Sequence, residues 1–304
     1  MLSKRVFTIV ILGLILIFSL IFFYYSNQNE NLQQIDKDLI SYSTQNNSEK
    51  LENWEANYIG LSNNKFTGKG IKVAILDGPF NDRDKTLFKK KAKNIYSSQE
   101  STEKPNTNEH ANFTTYIVHS MAPEASIYYY QISNNQESIS EQGFLNGLKW
   151  AIQQNVDIIN MSFNFPKKIS EAEKLFKIAT DKKITLIAST GNDGKFQVDF
   201  PANSKYVIGV GSINNSGERS AFSNYGTNLD FNLPGEFIKI NNKNDIVSSY
   251  ADGTSLSAPI LTAMVSKIKE QYPNLDNKGI EKRLINMSGN KEKTFEGGYG
   301  TPHF

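Results

Sequence analysis

The sequence contains no cysteine among its 304 residues, and it has no marked excess of charge of either sign. Without cysteine the chain has no disulfide bonds, no catalytic thiol and no zinc site built from thiolates. With 33 lysines and arginines against 31 aspartates and glutamates, the net charge of +2 argues against nucleic acid as a partner. Hydrophobic residues make up 38% of the chain, so most of it is expected to fold as a globular body.

Long hydrophobic runs are also lacking, except at the N-terminus. Lys4 and Arg5 precede an uncharged, mostly apolar run over residues 6–25. About 20 apolar residues can span a bilayer as one helix, and flanking positive residues stay on the cytoplasmic side. We therefore predict that residues 1–26 form a single-pass transmembrane helix in the cell membrane, with the rest of the chain extracellular. The alternative is a cleaved signal peptide, after which the chain would be secreted.

Residues 27–53 are rich in Asn, Gln, Ser and charged side chains, which predicts a polar stalk before a globular domain at 54–304. Short runs of β-branched and aromatic residues predict strands at 71–76, 126–132, 156–162, 184–189 and 206–212. Helical spacing with capping serines predicts helices at 138–154 and 170–183. This alternation predicts a three-layer α/β fold, with a mostly parallel sheet and helices on both faces.

Histidine is scarce as well, with three in the chain. His303 is the penultimate residue, where we expect a loose tail. His119 is expected to be a structural histidine, at a helix end or partly buried. His110 opens the segment that is expected to form that helix, and a base at a helix start can face the carboxyl ends of the strands. Catalytic groups of parallel sheets gather at that edge, so His110 is the candidate base.

A carboxylate and a hydroxyl complete the set of candidate catalytic residues. Asp77 directly follows the predicted strand at 71–76. The alternative is an ordinary turn aspartate, because Gly78 and Pro79 come next. Ser255 lies in the segment GTSLSAP, where it is either a nucleophile or the cap of a helix. A hydroxyl becomes a nucleophile only beside a base that has its own orienting group, so the choice depends on partners elsewhere in the chain.

Three segments that contain these residues resemble the motifs of the subtilisin-like serine proteases (subtilases), in that family's order of Asp, His and Ser. The segments are GKGIKVAILDG with Asp77, EHANFTTYIVHSMAPEASIYYYQI with His110, and GTSLSAPILTAMVSKI with Ser255. Weaker similarity to the family, in the right order, is found in VDIINMSF, LIASTGNDG and YVIGVGSINNSGERSAFSNYG. The resemblance covers about residues 54–290 in six ordered blocks, and it implies a subtilisin-like fold.

The resemblance implies a serine endopeptidase that hydrolyses peptide bonds in peptide or protein substrates. His110 would take the proton of Ser255 and later give it to the leaving amine, while Asp77 orients the imidazole and stabilises its cation. The Asn192 side chain and the Ser255 backbone amide would hold the oxyanion. By itself, Asn192 is equally typical of a turn residue. The resemblance implies no cofactor, and we expect a monomer.

The substrate site is expected beside two further segments. Ser162, Phe163, Asn164 and Phe165 resemble the family's edge segment, which pairs with the substrate backbone. Asn164 and Phe165 stand where the family usually has two glycines, which predicts a narrower rim. Asp193 is expected to favour a basic residue before the cleaved bond, although it is also typical of a solvated turn. These features predict limited processing of secreted precursors after Lys or Arg.

The sequence also departs from the family pattern at two points. Gly78 and Pro79 follow the aspartate, where the family has Ser or Thr and then Gly, and residues 111–113 replace Gly-Thr-His after the histidine. A calcium loop is also lacking between His119 and Ala122, so we expect no metal there. The departures leave a catalytically inactive subtilase fold, acting as a surface binding module, as an alternative function.

An α/β-hydrolase esterase is the remaining alternative, because it also uses Ser, His and a carboxylate. That class requires the motif G-x-S-x-G, with the acid and the histidine after the serine. Here Ser257 occupies the fifth position of the motif, and the only later histidine is His303. The sequence therefore favours a subtilase over an esterase.

Overall fold

The computed structural model describes residues 54–79, 95–97, 110–133, 139–240 and 249–304, all within one compact unit, Asn53–Phe304. The transmembrane helix predicted at 1–26 and the stalk predicted at 27–53 lie outside these residues. Over the ranges that are described, no helix has the length and apolar character needed to cross a membrane.

One parallel sheet forms the middle of the domain. Its strands, within the described residues, are β1 (Lys72–Asp77), β2 (Ile95–Ser97), β3 (Ser126–Gln131), β4 (Ile158–Met161), β5 (Thr185–Ser189), β6 (Val207–Ile213) and β7 (Phe231–Pro234). They are arranged in the order β2-β3-β1-β4-β5-β6-β7, and each neighbouring pair is parallel. A separate antiparallel pair joins β8 (Ile238–Ile240) to β9 (Ser249–Ala251).

The described helices are α1 (Trp54–Tyr58), α2 (His110–Met121), α3 (Glu141–Gln153), α4 (Ser170–Asp181), α5 (Thr254–Gln271) and α6 (Asn277–Ser288), with a short 3₁₀ turn at Leu61–Asn63. Helices α3 and α4 pack on the first face of the sheet, where Phe144 and Phe176 join Leu76 and Met161 in one buried cluster. Burial of each such aromatic side chain contributes about 1.5–3 kcal/mol, which holds both helices against the sheet.

The second face is covered by α2 and α5, which pack against each other. Val73, Ile75 and Asn160 alternate along their strands with the residues of the first face, so their side chains point to this second face. Thr262 of α5 donates its hydroxyl to Asn160 Oδ1 at 3.0 Å, which ties α5 to the middle of the sheet. Because the central strands are buried on both faces, they read as continuous apolar runs rather than as alternating patterns.

The five strands and two helices expected from the sequence are confirmed, together with the three-layer α/β arrangement. Ser140 caps α3, because its hydroxyl accepts from the Gly143 backbone N–H at 2.9 Å. The capping serine expected for α4 is wrong: Ser170 is the first residue of the helix, and Ile169 stands at the cap without a side-chain hydrogen bond. Ile169 is buried in the first-face cluster, so apolar packing holds this helix start in place of a cap.

The loose tail expected at the C-terminus is also wrong. His303 Nδ1 lies 2.7 Å from the backbone oxygen of Tyr58, and the two rings are 5.3 Å apart between centroids. Phe304 donates its backbone N–H to Ile59 O at 3.0 Å. The last residues thus contact the C-terminal end of α1 and the residue that follows this helix.

Candidate active site

The predicted catalytic residues lie where strands end and helices begin. Asp77 is the last residue of β1, and His110 is the first residue of α2. Ser255 is the second residue of α5, and Asn192 follows the end of β5. The carboxyl ends of the parallel strands β1, β4 and β5 meet at one edge of the sheet, and α2 and α5 pack side by side. The fold therefore gathers these four residues at the edge where parallel sheets bind ligands.

Asp77 and His110 are in direct contact. Their Oδ1 and Nδ1 atoms are 2.8 Å apart, with the aspartate side chain 3% exposed and the histidine side chain 34% exposed. An ionised carboxylate only accepts hydrogen bonds, so Nδ1 of His110 carries the proton and donates it. In the neutral imidazole this leaves Nε2 as the unprotonated nitrogen, which is the form a general base requires.

Two opposing effects set the basicity of His110. Burial disfavours the imidazolium and is the larger single effect, but the charge of Asp77 and its hydrogen bond act together in the opposite direction. As a result, the pKa of His110 is raised above its ordinary value of 6.5. The protonated form is stabilised in the folded state, so this contribution to stability is present at low pH and is lost as the pH rises through the His110 pKa.

Ser255 does not cap its helix. The cap of α5 is Gly253, at φ 148°, and it makes no side-chain capping bond. A glycine there can hold a backbone conformation that other residues rarely adopt. Ser255 therefore sits one position inside the first turn, and the helix-cap interpretation of this residue is wrong.

The side chain of Asn192 is oriented by Thr254, the residue that precedes Ser255. Thr254 donates both its backbone N–H and its hydroxyl to Asn192 Oδ1, at 2.9 and 2.8 Å. These two hydrogen bonds hold the amide oxygen and so fix the orientation of the Nδ2 donor group. A Cβ built on Gly253 would lie 3.1 Å from Ser255 Oγ and 3.5 Å from Asn192 Nδ2, so the hydroxyl and the amide are neighbours. An oxyanion formed at Ser255 would find a donor already oriented.

The buried side-chain amide of Asn224 stabilises the loop that contains Asn192. Its Oδ1 accepts the backbone N–H groups of Asp193 and Lys195 at 3.0 and 3.2 Å. Its Nδ2 donates to Thr190 O at 3.1 Å and to Asp199 Oδ2 at 3.0 Å. Since all four contacts go to one loop, Asn224 fixes the backbone on both sides of the predicted oxyanion donor.

The segment expected to pair with substrate follows β4. Ser162 and Phe163 are buried, with exposed fractions of 2% and 5%, so their side chains belong to the interior. Asn164 donates Nδ2 to Ser189 O at 2.7 Å, and the ring of Phe165 packs 5.7 Å from that of Phe163. Asn164 and Phe165 keep part of their surface exposed, and the narrow rim expected from them stays a prediction.

Asp193, the residue expected to attract a basic substrate side chain, already has a cationic partner. Lys195 Nζ lies 2.8 Å from Asp193 Oδ2 and 3.1 Å from Asp199 Oδ1. Hydrogen bonds to Asp193 and then to Asp199 raise the pKa of Lys195, so the amine stays protonated. Asp199 is 10% exposed, and a Cβ added to Gly191 would lie 2.6 Å from its Oδ2. A second carboxylate is thus packed against the backbone next to Asn192.

Several residues of this site carried no recognised signal in the sequence. Thr114 donates its hydroxyl to Asp77 Oδ2 at 2.9 Å, and Thr254, Asn224 and Asp199 make the contacts described above. All but Asp199 lie inside segments that resemble the family blocks, which is the one signal that could have drawn attention to them. Their roles depend on long-range contacts that a single sequence does not specify.

The α/β domain brings together, at one sheet edge, a histidine–carboxylate pair, a helix-borne serine and an oriented amide. These are the types of group that a serine hydrolase uses. Comparison with known families is more specific. The model of the subtilase family, Peptidase S8, matches residues 68–301, and the chain belongs to this family.

Characterised relatives are similar in sequence over part of their length. Subtilisin NAT of Bacillus subtilis subsp. natto is 28% identical over 237 residues, which are 74% of this chain and 62% of the relative. A thermostable alkaline protease of Halalkalibacterium halodurans is 30% identical over 167 residues, 54% of this chain and 45% of the relative. The chain therefore spans less than two thirds of the length of these relatives.

Solved structures show the same fold at lower identity. A lanthipeptide protease superposes with a TM-score of 0.70 at 18% identity, covering 84% of this chain and 92% of its own. The prenylagaramide maturation protease PagA gives 0.64 at 20% identity, over 77% and 90%. A cold-adapted subtilisin-like serine proteinase gives 0.68 at 20% identity, over 82% and 96%. At these identities the likeness establishes the fold alone.

Proposed function

We propose that this protein is a serine endopeptidase, in which Ser255 attacks the peptide carbonyl with His110 as general base and Asp77 as the orienting carboxylate. The observation that carries the proposal is the 2.8 Å contact between His110 Nδ1 and Asp77 Oδ1, at the sheet edge where α5 begins. Family membership and the oriented amide of Asn192 support the same reaction. No cofactor enters the mechanism, and the enzyme acts as a monomer on peptide or protein substrates.

The proposed reaction has two halves. In the first, the Ser255 hydroxyl bonds to the carbonyl carbon while its proton passes to His110, and Asn192 with the Ser255 backbone N–H stabilises the oxyanion. Collapse of this intermediate expels the amine, which takes the proton from His110 and leaves an acyl-serine. In the second, His110 removes a proton from water as the water oxygen bonds to the ester carbon. The bond between that carbon and Ser255 Oγ then breaks, the carboxylic acid product leaves, and Ser255 takes the proton back from His110.

A catalytically inactive binding module is the alternative function, and a reactive probe separates it from an enzyme. The full chain is treated with a fluorophosphonate, which attaches covalently to an activated serine. We expect one equivalent to attach at Ser255 in the folded chain and none after thermal unfolding, because activation needs His110 in place. A folded chain that stays unlabelled would contradict an activated serine and would favour the binding module.

We propose that the N-terminal segment holds the catalytic domain at the outer surface of the cell membrane. Its support is the apolar run over residues 6–25 behind Lys4 and Arg5. Washing membranes with alkaline carbonate releases peripheral proteins and retains spanning ones. Retention of the chain supports the anchor, whereas recovery from the medium of a chain that begins near Asn27 would show a cleaved signal peptide.

Secreted precursor peptides are the proposed substrates, cut after Lys or Arg. Two proteins of the same fold are named a lanthipeptide protease and a maturation protease, which suggests limited processing by analogy. The charges beside Asn192 support a preference for Lys or Arg before the cleaved bond. Asp193 and Asp199 share one cation, Lys195, so these three side chains together carry a net negative charge. The side chain of a substrate Lys or Arg would compete with Lys195 for Asp199, the less exposed of the two carboxylates.

This specificity predicts that Asp199→Asn lowers kcat/KM for substrates with Lys or Arg before the cut by about 10-fold or more, since about 1.4 kcal/mol of pairing is lost. Asp193→Asn, at a 62% exposed position, should lower it less, because exposed ion pairs contribute about 0–1 kcal/mol. The measurement is cleavage profiling on a peptide library with each full-length variant. A preference for large apolar residues that is the same in all three proteins would refute the charge argument.

A further inference from the structure

The buried carboxylate of Asp77 needs hydrogen-bond donors on both of its oxygens. It is 3% exposed, and an ionised carboxylate shielded from water is costly unless protein groups replace the water. The subtilase pattern usually places a Ser or Thr directly after this aspartate, whereas here the next residue is Gly78, which has no side chain. A hydroxyl donor from that position is therefore missing in this chain.

Three donors surround the carboxylate in the structure, and one of them is a hydroxyl from another element. Oδ1 receives His110 Nδ1 at 2.8 Å and the Gly78 backbone N–H at 2.7 Å. Oδ2 receives the hydroxyl of Thr114 at 2.9 Å. Oδ1 is thus the oxygen that faces the histidine, and Thr114 holds the opposite oxygen in place.

Thr114 is well placed to act together with His110. The two residues are four positions apart on α2, so their side chains lie on the same helix face. Thr114 is fully buried and the Asp77 side chain is 3% exposed, so bulk solvent has little access to the hydrogen bond between them. Its hydroxyl also lies 3.1 Å from the Ala111 carbonyl, but its single proton favours the charged carboxylate at the shorter distance.

We propose that Thr114 is a positioning residue of the active site, which fixes the rotation of the Asp77 carboxylate and draws off part of its charge. In this chain the hydroxyl that usually follows the aspartate is replaced by one from the helix that bears the base. This role rests on the proposed endopeptidase activity for its kinetic test, but not for its spectroscopic test.

Among the residues that the structure describes, two titratable side chains interact electrostatically with Asp77: His110 from α2 and Tyr129 from β3. Tyr129 donates its hydroxyl to the Gly78 carbonyl, one residue from the carboxylate. Burial and then the charge of Asp77 raise the pKa of Tyr129 well above its ordinary value of 10.0. Tyr129 therefore stays neutral through the range in which His110 titrates, so it is not the source of a shift in the His110 titration.

Thr114→Val keeps the shape of the side chain and removes only the hydroxyl. Oδ2 then keeps more of its negative charge, so the imidazolium is stabilised and the acid limb of kcat/KM moves to higher pH, by about half a unit. The carboxylate is also freer to rotate, and kcat/KM on its plateau is expected to fall by about 10- to 100-fold. Thr114→Ser, which keeps the hydroxyl, should restore both the acid limb and most of the rate.

The neighbouring Thr115 provides a matched control. It is also fully buried on α2, but its hydroxyl has no hydrogen-bond partner among the described residues. Thr115→Val therefore removes a buried hydroxyl from the same helix without removing a hydrogen bond to Asp77. It should leave the pH profile and kcat/KM unchanged, so an effect of Thr114→Val that Thr115→Val shares would reflect general repacking of α2 and would overturn the proposal.

Titration of the His110 ring by NMR, in the full-length chain, tests the same idea without any substrate. We expect the pKa of His110 to be higher in Thr114→Val than in wild type, and equal to wild type in Thr114→Ser and Thr115→Val. A His110 pKa that is unchanged or lowered in Thr114→Val overturns the role of Thr114, even if the protease is active. If Thr114→Val does not fold, Thr114→Ala is compared with Thr114→Ser in the same titration. An inactive wild type would instead count against the proposed function and leave this test intact.

Discussion

Ser255→Ala is expected to lower kcat for peptide hydrolysis by about 10⁶-fold, the loss known for removal of the nucleophile in subtilisin. Without the hydroxyl, no acyl-enzyme forms, although Asn192 still offers its amide to a bound carbonyl. The residual rate over water, about 10³- to 10⁴-fold, then comes from oxyanion stabilisation and binding alone. Initial rates on a peptide substrate, measured with the full-length wild type and variant, give the ratio directly.

The fold should survive this substitution. Ser255 lies inside the first turn of α5 and is not its cap, and alanine has a higher helix propensity than serine. Ser266→Ala is the matched control, because Ser266 lies on the same helix and donates its hydroxyl to the Thr262 carbonyl at 2.9 Å. That control should keep the wild-type rate. If Ser255→Ala still hydrolysed peptides at the wild-type rate, Ser255 would not be the nucleophile.

Much of the fold follows from the sequence because the central strands are buried on both faces. Runs such as Lys72–Asp77 and Thr185–Ser189 have almost no exposed positions, so their β-branched residues stand out from the polar segments around them. Phe231–Pro234 was not anticipated as a strand, since it contains an asparagine and a proline and has four residues. It is a strand because β6 pairs with it, and that partner lies outside any local pattern.

The candidate site, like the fold, was predicted only in part from the sequence. Asp77, His110 and Ser255 were predicted because short motifs surround them, but a motif does not show which side chains contact and orient the residues that it contains. Asn224 reaches the Asn192 loop from more than 30 positions further along the chain. Side-chain hydrogen bonds across such separations depend on the packed fold, and one sequence without its structure does not specify which partner is chosen.

The pairing of charged side chains at the site could also be predicted only in part, because it too depends on the packed fold. The sequence shows Asp193 beside Asn192, but it does not show that Lys195 turns back onto Asp193 and Asp199 together. The pairing changes the expected specificity from an open negative charge to a competition between two cations. From the sequence alone, a carboxylate such as Asp193 is expected to attract a basic substrate side chain. Only the folded structure shows whether a lysine of the protein already neutralises that carboxylate.

The role proposed for Asp77 depends on its contact with His110, and the same contact raises the pKa of His110. Asp77 accepts the proton-bearing Nδ1 of His110 while Gly78 and Thr114 hold the carboxylate still. An asparagine at this position has nearly the same shape but presents either an amide N–H or a carbonyl oxygen to the imidazole. If the N–H faces His110, Nδ1 must accept and Nε2 carries the proton, which is the wrong tautomer for a base.

Asp77→Asn is therefore expected to lower kcat by about 10⁴-fold while the fold is kept. Loss of the negative charge also removes the effect that raises the His110 pKa, so the acid limb of kcat/KM should move to lower pH than in wild type. Asp276→Asn is the control, because asparagine replaces aspartate well as the cap of α6, and it should change neither quantity. The measurement is kcat/KM against pH for the three full-length proteins. An acid limb that stays in place in Asp77→Asn would mean that Asp77 does not control the protonation of His110.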